Sequence, residues 1–426
     1  MNNLLRIQPP VFPVEKVVIP EAKSLKLDNA VPVFLIEAGT EDIMRIEFVF
    51  RSGQIKETLP LLASTCNMML TEGSQNYTSE ELNRILDFYG IFLNQSSERD
   101  SANITLYFLN KHIEKVLELS HEILFRPTFP ESELNSLMNK RIRWFLVNRE
   151  KTQNLAMDKF FESLFGKHHP YGYQIVEQDF KNITPSVLSD FHSHYYAPSD
   201  MAVIISGKIH EKTFELLNTS FGNISSTKKV NDGPDLLPKS EEIKKIHVHK
   251  SGTVQTSVRI GSATINKRSP DYPGLKILDS ILGGYFGSRL MKNIREEKGY
   301  TYGINSSVSS LDLSGYKVIS TEVGTKYCQK AIDEIYKEIK ILQTIPVSKE
   351  EMTIVRNYMS GEMVRMFDGP FALAESFRSA WEFGLDNSYY HRLSEKIRTI
   401  EPDEIIELAK KYYNIDDLYE ITVGAE

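Results

Sequence analysis

Hydrophobic and polar positions alternate along this chain with two distinct periods. Ile46, Phe48 and Phe50 share one face of an extended segment, and Arg45, Glu47 and Val49 share the other. That period of two predicts a strand. Met201, Ala202, Val203, Ile204 and Ile205 are apolar throughout and predict a buried strand. Ile113, Val116, Leu117, Ser120, Ile123 and Leu124 recur at helical spacing, as do Ile332, Ile335, Tyr336 and Ile339. Long helices mixed with antiparallel-type strands predict α+β domains. Each would be a mainly antiparallel sheet with helices packed on one face.

The pattern repeats. Ile183 to Tyr196, followed by Asp200 to Gly207, matches Ile400 to Tyr413, followed by Asp417 to Gly424, at a constant offset of 217. Both blocks read as a helix, a turn and a terminal strand. Looser matches link Lys115–Leu119 with Lys330–Glu334, Pro130 with Pro346, and Gly90 with Gly299. The chain therefore divides into two tandem homologous domains, 1–225 and 244–426. Residues 226–243 are polar, rich in turn formers and predicted to be a linker.

Composition narrows the function classes. The 426 residues are 41% hydrophobic and 10% aromatic, enough for real cores. The net charge of -7 offers no basic excess for phosphates, so no nucleic-acid partner is expected. The longest apolar runs are too short to span a bilayer, so no membrane partner is expected either. The start of the chain has no apolar leader core, and a cytoplasmic location is expected. Cys66 and Cys328 are too few and too far apart for a disulfide framework, and Cys66 reads as a reduced core cysteine.

Two stretches carry a resemblance. One is Phe165 to Gly172, which contains His169-Pro170-Tyr171-Gly172. The other runs from Leu282 through Gly283, Gly284 and Arg289 to Arg295, Gly299, Tyr300 and Tyr302. Both resemble the pitrilysin and mitochondrial-processing-peptidase family, the inverzincins. Together with the repeat, the resemblance covers roughly residues 20 to 424. It implies a duplicated α+β fold, half of a peptidase clamshell, and descent from zinc-dependent endopeptidases.

The family's catalytic motif is His-x-x-Glu-His on a helix. Its two histidines bind zinc and its Glu is the general base. Met69 to Ser74, with Ser79 to Leu82 and Gly90, resembles the segment that follows the motif. The motif then falls on Ser64 to Met68, and both histidines are gone. Ser64 and Met68 stand at the ligand positions and Asn67 at the base position. An amide cannot take a proton from water, and a thioether is a poor zinc ligand. The third ligand, a Glu on a later helix, is also missing, because no acidic residue lies between Glu133 and Glu150. No metal is therefore expected in this chain. The pairs His168–His169, His192–His194 and His247–His249 offer no third ligand by any motif, and residues two apart on a helix do not face each other.

The resemblance also implies a retained set. In the family, an Arg and a Tyr from the domain facing the zinc contact substrate, and they correspond here to Arg295 and Tyr302. A Tyr hydroxyl can donate to a developing oxyanion, and a guanidinium offers several planar donors. Asn293 to Lys298 reads as a helix end capped by Gly299, with Tyr300 to Tyr302 starting a strand whose two tyrosines line one cavity. Gly283 and Gly284 read as a tight turn.

The leading expectation is a non-catalytic, substrate-binding subunit of a heterodimeric zinc metallopeptidase, inactive alone. Its homologous partner would carry His-x-x-Glu-His and the zinc, and its substrates would be peptides or unfolded segments added as a strand to a sheet edge. The alternatives are a catalytically dead structural or scaffold subunit, and a homodimeric peptide-binding protein.

Overall fold

A computed structural model describes residues 19–225, 240 and 242–425. Most of the expected linker, 226–239 and 241, lies outside the described residues. The first sheet contains β1 (Lys23–Lys26), β2 (Pro32–Glu37), β3 (Ile43–Phe50), β4 (Phe92–Ser97), β5 (Ala102–Leu109) and β6 (Met201–Gly207), in the order β1-β2-β6-β3-β5-β4. The second contains β7 (Lys245–His249), β8 (Gln255–Thr264), β9 (Thr301–Ser310), β10 (Gly315–Gly324) and β11 (Tyr419–Gly424), in the order β7-β11-β8-β10-β9. Removing β1 makes the two orders superimpose. Every ladder is antiparallel except β2 with β6 and β7 with β11.

The helices follow the same duplication. The first half has α1 (Leu62–Met69), α2 (Ser79–Tyr89), α3 (Ile113–Phe125), α4 (Glu131–Asn148), α5 (Thr152–Phe165), α6 (Asp179–Asn182), α7 (Pro185–Tyr195) and α8 (Thr213–Phe221). The second has α9 (Tyr272–Asp279), α10 (Cys328–Thr344), α11 (Lys349–Met366), α12 (Pro370–Trp381), α13 (Ser388–Thr399) and α14 (Pro402–Tyr412). Helices α7 and α14 both start on proline and are displaced by the 217 positions of the sequence repeat. Wider π-helical turns replace α-helix at Ser280–Gly284 and Met291–Glu297.

Each half buries one sheet face under its own helices. Met44, Ile46, Phe48 and Phe50 pack with Cys66, Leu117, Leu188 and Leu217. Val258, Ile260 and Ile319 pack with Leu278, Ile335 and Leu408. The opposite faces are covered too, and by the other half. Phe160, Phe161 and Leu164 of α5 cover Val318, Tyr419 and Ile421 of the second sheet. Leu373, Ala374 and Phe377 of α12 cover Ile36, Val49 and Ile204 of the first. The expected one-sided packing thus holds for each half's own helices, and an exchanged helix closes the other side.

That exchange explains the polar positions of β3. Arg45 and Glu47 lie under α12, where Glu47 pairs with Arg45 at 2.9 Å and with Arg378 of α12 at 3.3 Å. Under α5, Arg259 pairs with Glu322 at 3.1 Å and donates to the Gln153 carbonyl at 3.3 Å. Buried charges need such partners. Among the described residues no helix is long and apolar enough to cross a membrane.

Candidate functional site: the altered motif helix and the Arg295–Tyr302 pair

Ser64, Asn67 and Met68 all lie on α1. The helix is preceded by Leu61 as its N-cap, whose backbone is left-handed at φ 71°, an uncommon conformation for a bulky residue. Its first amides are held by Glu57, whose carboxylate accepts the Ala63 N–H at 2.8 Å. Burial pushes the Glu57 carboxyl up to about 7, against the opposing pull of the Ala63 amide and of Arg141. Cys66 is fully buried, and burial pushes its thiol above the ordinary range. It behaves as a core residue.

Helix α4 packs beside α1, and its Arg141 reaches the motif positions. The guanidinium donates to the Ser64 hydroxyl at 2.8 Å and to the Thr65 hydroxyl at 2.5 Å. Asn67 is buried, with its side-chain amide nitrogen 3.4 Å from both the Asn103 main-chain carbonyl and the Tyr196 hydroxyl, and Gln95 donates to its main-chain carbonyl. Met68 faces outward and is 42% exposed. This donor set does not fit zinc. It offers a hydroxyl, an amide and a thioether, and a fixed positive charge stands against the ligand face.

The histidine pairs are separated or otherwise engaged. His192 bonds the Leu124 carbonyl at 2.8 Å, and burial lowers its pKa to about 4. His247 bonds Thr422 at 2.9 Å. Among the described residues no three His, Cys, Asp or Glu side chains are placed to hold a metal.

Arg295 and Tyr302 lie in the second half. Arg295 sits in the π-helical turn Met291–Glu297, and Gly299 follows in the left-handed region at φ 63° and turns the chain into β9. Arg295 Nε donates to the Tyr302 carbonyl at 3.0 Å, and its guanidinium lies 4.7 Å from the Phe286 ring centre. Tyr302 is 92% exposed. Tyr300 parts from the expectation. It precedes β9 and stacks on Tyr327 at 4.9 Å, so the two tyrosines do not line one cavity. Gly283 lies in a π-helical turn rather than a tight one. Among the described residues no hydrogen bond or ion pair joins Arg295 or Tyr302 to the α1 positions.

Sequence reasoning missed Arg141 and Glu57. The signal for Arg141 was a base in the segment where a ligand carboxylate was sought. Glu57 belongs to no periodic pattern and carried no signal.

Two interlocked sheet-and-helix halves of this topology define a duplicated, peptidase-type fold. Two family profiles match along the chain. "Insulinase (Peptidase family M16)" matches residues 33–177, and "Peptidase M16 inactive domain" matches residues 182–359. The chain belongs to peptidase family M16. An uncharacterized zinc protease YmxG from Bacillus subtilis is 22% identical over 298 residues, 70% of this chain and 72% of the relative. A non-peptidase homolog YmxG from Helicobacter pylori is 22% identical over 397 residues, 91% of this chain and 90% of the relative. The crystal structure of a peptidase M16 inactive domain from Pseudomonas fluorescens has the same fold. It superimposes with a TM-score of 0.85 at 20% identity, over 95% of this chain and 98% of that one.

Proposed function

We propose that this chain is the non-catalytic, substrate-binding subunit of a two-chain zinc peptidase. The carrying observation is an asymmetry. The motif helix is folded, but a guanidinium lies against its ligand face, while Arg295, partly exposed, bonds the main-chain carbonyl of Tyr302, whose side chain is open to solvent. In this reading a homologous partner carries His-x-x-Glu-His and zinc. This chain contributes the Tyr302 hydroxyl to a peptide carbonyl oxygen and the Arg295 guanidinium to the neighbouring backbone. The substrate is a peptide or an unfolded segment, and a cytoplasmic location belongs to the same proposal. Family names support the division, since one relative is called a zinc protease and another a non-peptidase homolog.

Reconstitution tests this. Cleavage of an unfolded protein should require both chains. Arg295→Ala and Tyr302→Phe should each lower kcat/KM of the mixture by roughly 10²-fold, the usual loss for one oxyanion donor. Full activity in both variants would reject the composite site and favour a scaffold role.

A further inference from the structure

A cavity of about 900 Å3 opens beside α1 where the metal ligands are missing. Arg141 and Arg99 both line it, and Leu59, Pro60, Ile175 and Tyr195 give it an apolar wall. Its volume suits a few residues of extended chain rather than a folded domain. Arg141 carries five N–H donors and gives two bonds to the neutral hydroxyls of Ser64 and Thr65. Among the described residues no carboxylate lies within ion-pair distance of it. Arg99 is similar, donating to the Tyr171 carbonyl at 2.9 Å and stacking 3.9 Å above Phe161. Burial opposes the charge of both guanidinium groups.

The acidic groups of the cavity do not balance these cations. The Glu57 carboxylate is already bonded to the first amides of α1, and burial lifts it to about 7, so much of it is protonated at neutral pH. Glu98 is exposed and accepts from Ser96 at 3.2 Å. Glu57 attracts Arg141, and Asp100 and Asp158 attract Arg99, but none of them makes an ion-pair contact. Among the described residues the guanidinium forks are thus left unoccupied by any carboxylate, and a planar anion matches such a fork best.

We propose that this cavity binds a carboxylate of a peptide ligand, with Arg141 holding the acid and the apolar wall holding the adjoining side chain. The inference deepens the peptide-binding reading and rests on it. The carboxylate has two possible sources, the chain terminus or an Asp or Glu side chain.

Fluorescence anisotropy of the full chain distinguishes them. The probes are labelled peptides of about ten residues ending in leucine, as free acid and as amide, and an amidated peptide with an internal Glu. The free acid or the Glu peptide should bind at least roughly tenfold tighter than the uncharged amide, and whichever does identifies the source. In Arg141→Gln that ratio should fall to about one. Equal binding of all three peptides to the native chain would overturn the carboxylate site and leave peptide binding standing. A ratio that persists in Arg141→Gln would also overturn it. No binding of any peptide would remove the peptide-binding reading as well. The comparison on the native chain needs no variant to fold.

Discussion

Glu57 is a buried acid held well above the ordinary carboxylate range. Its acid is lifted from 4.5 to about 7, chiefly by burial. Between these values the native carboxyl keeps a proton that the unfolded chain has lost. Native protein therefore binds more protons, and this group's contribution to stability falls as pH rises from about 4.5 to about 7. The size is about 3 kcal/mol from the shift alone. His192 works in the opposite direction over the lower part of the same range. Its pKa falls from 6.5 to about 4, so the unfolded chain binds the extra proton and stability falls as pH drops. Urea unfolding of native protein and Glu57→Gln across pH 4 to 8 separates the two. The variant should gain relative stability as pH rises, and a constant difference would refute the buried-acid assignment. Flanking residues put the motif register on Ser64, Asn67 and Met68, and all three lie on one helix. The sequence could not place Arg141 in the same way. An absent carboxylate is visible in a string of letters, but the side chain that fills the space is visible only as a distance.

Elements were more legible than partners. The 217-residue offset placed α7 on α14 and the last strand of each half, because a helix start at proline and an all-apolar strand both leave local signatures. Periodicity assigned Ile46, Phe48 and Phe50 to one face correctly. It could not say that Arg45 and Glu47 on the other face meet a helix from the far half, because a period describes faces and not what covers them. The π-helical turn Ser280–Gly284 was equally hidden, yet its glycine has a clear reason. A Cβ on Gly283 would meet Ser306 of β9 at 2.7 Å, at both the side-chain carbon and the backbone nitrogen. Alanine normally stabilises a helix over glycine by up to about 1 kcal/mol. Here the clash with backbone should win, so Gly283→Ala should lose roughly 1–3 kcal/mol in urea unfolding. A gain in stability would show that β9 can move away. Tyr302 lies on that same strand, so the variant should also weaken any peptide contact it makes.

At the scale of the whole molecule, the exchange of α5 and α12 turns two homologous halves into one cooperative object. Neither sheet is complete without a helix from the other half. Phe377 shows the consequence. It is 8% exposed, lies 4.8 Å from Phe34 by ring centres, and packs with Val49 and Ile204 on a sheet built from the opposite end of the chain. Truncating such a phenylalanine typically costs 3–5 kcal/mol. If the halves were independent, Phe377→Ala would lower the stability of the first sheet and leave the second half melting where it did. With both sheets capped by exchanged helices, opening one sheet frees α12, and losing the second half's structure frees α5 in turn. Calorimetry should therefore show one transition for the native chain, and Phe377→Ala should shift it downward by several degrees without splitting it. Two resolved transitions, with only one moved, would show that the halves unfold separately. A single shifted transition would mean that the surface carrying Arg295 and Tyr302 cannot stay formed when the α1 half has opened. The two sets of residues would then be presented together or not at all.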